Sequence, residues 1–148
     1  MALSTSAATS AGATLSTATA PSTLNAAGYT GAAWTVVGEV TDIGAFGKSY
    51  KLVTHNPIAS RITIKRKGSY NNGTISLKMA RVSDAGQAAL ITASNSDVSP
   101  AFRIVFQSGA LTAYFTGQVM SAMTNVGNVD TITGLDVNVE IDSDILEL

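Results

Sequence analysis

Leu135-Asp136-Val137-Asn138-Val139-Glu140-Ile141-Asp142 decides the reading of this chain. Apolar and polar residues alternate strictly over eight positions. That period places Leu135, Val137, Val139 and Ile141 on one face of a strand and Asp136, Asn138, Glu140 and Asp142 on the other. One face is dry and the other meets water or a polar cavity, as in an antiparallel sheet packed on one side.

Working back from this strand, Thr74–Ala80 alternates the same way, with Ile75, Leu77 and Met79 inward. Phe102, Ile104 and Phe106 alternate with Arg103 and Gln107, and after a turn at Ser108-Gly109 a long strand runs from Leu111 to Met120. Leu111, Ala113, Phe115 and Val119 take its inner side. Ala33–Val40 reads as a strand with Trp34, Val36 and Val40 on one parity. Lys48–Val53 reads as another, with Tyr50 and Leu52 together, and Arg61–Lys65 alternates. Ser69-Tyr70-Asn71-Asn72-Gly73 is a turn signal, because Asn and Gly tolerate positive φ, and it suggests a hairpin into Thr74–Ala80.

The period changes once. Asp84 followed three residues later by Gln87 fits a capping box opening a helix over 84–94. Ala85, Ala88, Ala89 and Thr92 form one stripe of that helix with Leu90 and Ile91 beside it, and Asn95 and Pro100 close it. The total is about six or seven strands and one flanking helix. The fold class is mainly β (α+β), a β-sandwich or small barrel.

The N-terminus differs. Eighteen of the first 24 residues are Ser, Thr or Ala, and the first charged side chain is Glu39. Such a segment buries too little apolar surface to offset its own backbone entropy. Residues 1–30 therefore read as an extended arm whose partner lies outside it, and 31–148 as the domain. The arm lacks the basic and apolar regions of a signal peptide, and no window is apolar enough to span a membrane, so no membrane insertion is expected.

Charged residues make up only 13% of the 148, below the roughly 25% of ordinary domains, which points to surface covered by a partner. Charge is also segregated: residues 1–47 carry −2, 48–103 carry +7 and 104–148 carry −6. Such a split fits either a basic ligand site or complementary faces that meet in self-assembly. Lys65-Arg66-Lys67 is the one basic run. With no aromatic platform interleaved, it suits a solvated hairpin face, or an interface with the acidic last strand, better than nucleic-acid binding.

Catalytic chemistry is thin. There is no cysteine and one histidine, His55, in an expected loop. No Gly-x-Ser-x-Gly elbow, Walker loop or dinucleotide-binding fingerprint occurs. Asp136, Glu140, Asp142 and Asp144 match no calcium-loop spacing. No enzymatic activity, cofactor or metal is expected.

Four stretches together resemble a known family: Trp34-Thr35-Val36-Val37-Gly38-Glu39-Val40, Lys67-Gly68 through Gly73-Thr74, Asp84-Ala85-Gly86-Gln87-Ala88-Ala89-Leu90, and Val137–Leu146. They are similar to the major tail tube proteins of bacteriophages with long, non-contractile tails. The resemblance implies a virion protein, assembled in the host cytoplasm, whose hexameric rings stack into a hollow tube for DNA ejection. It implies contacts between rings through the N-terminal arm and an early loop, here about 41–60. The self-assembly candidates are then Leu24 and Tyr29 in the arm, Ile43, Phe46 and Tyr50 in or beside the loop, and Lys65, Arg66 and Lys67. The implied partners are further copies of the chain and tape-measure, tail-terminator and tail-tip proteins, with genomic DNA passing through unbound. A lumen for DNA must not grip phosphate, so Asp136, Glu140 and Asp142 are candidates for an acidic lumen or interface face. A secretion-tube protein of the same fold and a monomeric β-sandwich binding module are the alternative readings.

Overall fold

A computed structural model describes residues 7–107, 109 and 111–148. The first six residues of the expected arm, and Ser108 of the expected turn, lie outside the described residues. The described residues form ten strands and two helices rather than six or seven strands and one helix: β1 Thr14–Ala18, α1 Ala26–Thr30, β2 Thr35–Val37, β3 Val40–Asp42, β4 Ser49–His55, β5 Ile64–Asn71, β6 Thr74–Ala80, α2 Ala85–Ser94, β7 Ala101–Val105, β8 Thr112–Asn125, β9 Gly134–Ile141 and β10 Leu146–Glu147.

Eight strands make one antiparallel sheet in the order β2-β1-β7-β8-β9-β6-β3, with β10 beside β8. β2 and β3 stand at opposite ends of that path, yet only Gly38 and Glu39 separate them in the chain. Two edges joined by so short a link must lie close together, so the sheet is rolled into a barrel. The long strand β8 makes the roll possible. Its first half pairs with β7 and its second half with β9, with a bulge at Met120 between Val119 and Ser121. A bulge bends and twists its strand. Gly117, where the pairing changes, allows close approach: a Cβ there would lie 2.7 Å from the Glu140 carbonyl oxygen.

The continuous β propensity from Ala33 to Val40 therefore hides a break. Glu39 takes φ 58°, a conformation that non-glycine residues seldom adopt. The break also changes parity, since Val37 is buried and Val36 exposed.

Ile75, Leu77 and Met79 from β6 and Leu135, Val137 and Val139 from β9 fill the core with Phe102, Ile104 and Phe115. Leu111 stands outside β8 and is exposed. Helix α2 packs on β8, β2 and β1 and reaches the β2–β3 link at Gly38. It buries Gly86, Gln87 and Leu90, the last of them beside the Ala85, Ala88, Ala89 and Thr92 stripe, while the alanines of that stripe are exposed. Asp84 caps it, its carboxylate accepting from the Gln87 N–H at 3.3 Å and from the Gly38 N–H at 3.0 Å. Those backbone bonds, Gly38's first, hold the carboxyl below its ordinary range. The capping box is only half made, because the Gln87 side chain turns to the seam instead of back to the cap.

The arm reading needs correction. β1 lies between β2 and β7, so residues 14–18 belong to the barrel wall. Leu15 enters the main core, while Ser16 and Thr17 are buried. The Thr17 hydroxyl donates to the Ala101 carbonyl at 3.2 Å, and Arg103 Nη2 donates to Ser16 Oγ at 3.2 Å. A strand covered on both faces needs small side chains whose hydroxyls find partners, and a charge there would be costly. Tyr29 on α1 likewise belongs to the body. It is buried and stacked on Tyr114 with centroids 5.3 Å apart, and its carbonyl accepts from Trp34 Nε1 at 2.9 Å.

Candidate self-assembly surface

β4 and β5 form a separate two-stranded sheet that pairs with no other strand. Its register runs from Ser49 opposite Asn71 to His55 opposite Ile64. Every residue of both strands is exposed except Gly68, which is half-buried. The segment expected as a loop over 41–60 is thus largely the first strand of a hairpin. The expected hairpin between Arg61–Lys65 and Thr74–Ala80 does not form. At Asn72-Gly73, with Gly73 at φ 79°, the chain leaves β5 and enters β6 of the barrel, so this turn links two sheets.

An isolated two-stranded hairpin is marginal in water. This one gains support along its strands from cations lying over tyrosines. Tyr50 and Tyr70 pair at 5.4 Å, Lys48 Nζ lies 4.4 Å from the Tyr70 ring centre, and Lys67 Nζ lies 4.7 Å from that of Tyr50. At the base it is latched to the barrel through one carboxylate. Asp144 accepts from the Tyr70 hydroxyl at 2.9 Å and pairs with Lys48 at 3.2 Å, while Asn72 Nδ2 donates to the Ser143 carbonyl at 2.8 Å.

The Tyr70 hydrogen bond, and then Lys48, hold the Asp144 carboxyl below its ordinary value of 3.8. A lowered folded value means that the latch is made above the ordinary range and lost as pH falls below it. Asp144→Asn should therefore lower amide protection at the hairpin base, around Tyr50 and Tyr70, at neutral pH while barrel protection stays. Acidification should do the same to the parent chain but add little to the variant. Equal protection factors in both chains at pH 7 would dismiss the latch.

Residues 48–71 carry six basic side chains and no acidic one. Lys65, Arg66 and Lys67 are exposed on β5, and Tyr50 is exposed on β4 beside Leu52 and Val53. These four candidates lie exposed on one hairpin. The others do not join it. Ile43 and Phe46 pack against the core, with Phe46 6.1 Å from Phe115 and 6.5 Å from Phe106. They follow the short edge strand β3 and bury apolar surface against the barrel core. Tyr29 is buried in its own chain, which leaves it no face for another copy. Leu24 is exposed ahead of α1, away from the hairpin in sequence. Ile62 and Ile64, which sequence reasoning left out, are exposed on the hairpin. Their alternation with charged residues was the available signal.

The three acidic candidates separate in the same way. Asp136 and Glu140 lie on the outer face of β9, opposite Lys78 and Thr74 of β6. Between them Asn138 accepts from Ser76 Oγ at 2.9 Å and donates to Ser121 Oγ at 3.2 Å, and the Thr74 hydroxyl donates to Glu140. This makes a polar ladder across three strands. Asp142 lies past the end of β9 and does not share it. Its carboxylate accepts from Thr116 Oγ1 at 2.6 Å and from Ser99 Oγ, stapling the turn that leads to β10. His55 is exposed on β4. Among the described residues no three His, Cys, Asp or Glu side chains cluster as metal ligands, and no helix is long and apolar enough to cross a membrane.

No protein-family model matches the sequence. No curated protein matches it either. Solved structures do. A chain of the anti-feeding prophage baseplate, solved by six-fold symmetrised cryo-EM, superposes with a TM-score of 0.74 at 8% identity, over 99% of this chain and 97% of that one. A chain of the sheath/tube terminator of PVC, an extracellular contractile injection system, in its extended state gives 0.72 at 12%, with 96% of each chain covered. A chain of the native gene transfer agent virion gives 0.70 at 7%, over 96% and 99%. At such identities the likeness is one of fold, and it extends over nearly the whole of each chain. This chain shares its rolled β fold with those chains of a prophage baseplate, a contractile injection system and a gene transfer agent particle.

Proposed function

We propose that this chain is a structural, non-catalytic subunit that assembles into rings stacked as the hollow tube of a tail-like particle. The observation that carries the reading is the Ser49–Asn71 hairpin, a basic and apolar two-stranded sheet that pairs with no other strand among the described residues. Exposed edges of this kind recruit another chain. The full-length fold likeness to chains of tail-like particles supports the same reading.

The finer proposal is a bacteriophage tail tube of the non-contractile type, built of six-membered rings. It would be assembled in the host cytoplasm, would join tape-measure, tail-terminator and tail-tip proteins, and would pass DNA. The ladder of Asp136, Asn138 and Glu140 suits a channel wall, since it offers phosphate no cationic grip beyond Lys78. A second reading, the tube of a contractile injection particle, is favoured by two of the superposed structures. A sheath gene beside this one would select it.

Electron microscopy of the purified protein tests the common part. Stacked rings or hollow tubes are expected as concentration rises. A monodisperse monomer by sedimentation at millimolar concentration would refute it.

A further inference from the structure

The hairpin combines two kinds of surface in a fixed order along its length. Its strands are basic. Residues 48–71 hold no carboxylate, and among the described residues only Lys48 of their six cations has a carboxylate partner, Asp144. Lys51, Arg61, Lys65, Arg66 and Lys67 are exposed. Leu52 lies opposite Lys67 and Thr54 opposite Lys65, while Val53 lies opposite Arg66. Opposed residues share a face, and neighbours along a strand alternate. Lys65 and Lys67 therefore take one face of the hairpin and Arg66 the other, so cations flank it on both sides.

The turn between the strands is apolar. It is ordered from within: the Pro57 carbonyl accepts from the Ser60 N–H at 3.2 Å, and Ser60 Oγ accepts from the Ile62 N–H at 3.1 Å. It presents Ile58, fully exposed, and Ile62, 76% exposed. A strand rises about 3.3 Å per residue, so Lys65 and Arg66 stand roughly 10–13 Å behind Ile62. An apolar tip followed by a collar of cations matches an anionic bilayer, which has phosphate outside and hydrocarbon within. Apolar groups that lie in such a surface enter about 5–10 Å, which brings the collar to the headgroups.

We propose that the 57–62 tip inserts into the surface of an anionic bilayer, with Lys65, Arg66 and Lys67 on the lipid phosphates. Charge complementarity selects the anionic surface, and the two isoleucines select one with a dry layer beneath. A nucleic acid supplies the charge without the dry layer, and the tip offers its bases no aromatic ring to stack on. The contact lies on the membrane and does not span it. It needs only one hairpin and does not depend on stacking, although a ring would present several hairpins at one height and multiply a weak contact.

Flotation through a density gradient tests this, because vesicles carry bound chain upward while free chain and tubes stay below. The full chain should float with vesicles of phosphatidylglycerol and phosphatidylcholine in equal parts, and stay below with phosphatidylcholine alone. Ile58→Ser with Ile62→Ser should weaken binding at least about tenfold. Lys65→Gln with Lys67→Gln should weaken it about 25-fold, at about fivefold per cation. All four residues are exposed, and circular dichroism melts check that the variants keep the parent fold. The chain has no cysteine, so an environment-sensitive dye on Ile62→Cys reports insertion directly. Its emission should shift to the blue on the anionic vesicles, and that of a dye on Val98→Cys, outside the hairpin, should not. Flotation that survives the isoleucine change, or no blue shift at position 62, would overturn the insertion. Duplex DNA retarded at a salt concentration that abolishes flotation would overturn it in favour of nucleic acid. No flotation, with tubes in micrographs, would overturn this contact and leave the ring reading standing. Flotation of a chain that forms no rings at any concentration would support this contact and overturn the ring reading.

Discussion

A chain lacking residues 1–18 is expected to lose its cooperative unfolding transition. The deletion removes β1 from between β2 and β7, so two ladders of backbone hydrogen bonds lose a partner at once. It also empties the Leu15 site in the main core. Leu→Ala at a core position alone costs about 2–5 kcal/mol, and a domain's whole stability is only about 5–15 kcal/mol. Leu15→Ala gives the graded version of the same test. It should lower the Tm by roughly 10 °C at unchanged fold, given about 2–4 °C per kcal/mol for a domain of this size. Circular dichroism melts measure both variants. A sharp melt from the truncated chain within a few degrees of the parent would mean that β1 is an appendage after all.

The same strand explains what was legible in the sequence and what was not. β6 and β9 could be read from alternation because one face is dry and the other is wet. β1 could not, because Ser16 and Thr17 are covered as fully as Leu15 and no two-residue period survives. Alternation also says which side chains share a face, not whether their own chain covers it. Leu52 and Ile64 follow the strand pattern as well as Leu77 does, yet they stand exposed on the hairpin. The turn at Asn71-Asn72-Gly73 was readable as a turn, but turn chemistry does not name the next neighbour in the sheet. β6 pairs with β9 and β3 instead of β5.

The exposure of Lys65–Lys67 was legible because charge and exposure go together. Tyr29 and Phe46 were not, because their partners Tyr114, Phe106 and Phe115 lie far away in sequence. Asp142 carries the parity of Glu140, but the strand ends before it, and hydroxyls from Thr116 and Ser99 bind its carboxylate instead.

The seam of the barrel should be its most sensitive point. β2 and β3 do not pair with each other, and α2 ties β2 and the Gly38 link to the end of β6 through two adjacent residues. Gly86 lies so close to β2 that an added Cβ would meet the Val36 carbonyl oxygen at 2.4 Å and Val37 Cα at 2.7 Å. Those are backbone atoms, which cannot swing aside, so Gly86→Ala must lift the helix. Gln87 is fully buried and satisfies three backbone groups. Its Oε1 accepts from the Val82 N–H at 3.1 Å, and its Nε2 donates to the Gly38 carbonyl at 3.1 Å and the Ala80 carbonyl at 2.8 Å. Gln87→Ala leaves all three without a partner. At about 1–3 kcal/mol for each buried group stranded, less what water recovers, the loss should reach about 3–5 kcal/mol. Urea unfolding should show this as a lower midpoint at unchanged m. Gln87→Glu separates hydrogen bonding from volume. A carboxylate cannot donate to the two carbonyls, and burial raises its folded pKa above the unfolded value. Its neutral form can donate once, so this variant should be more stable in acid and lose stability as pH rises through the raised pKa. A Gln87→Ala loss below about 1 kcal/mol, or a Gln87→Glu chain as stable at pH 8 as at pH 5, would show that the barrel closes without the seam.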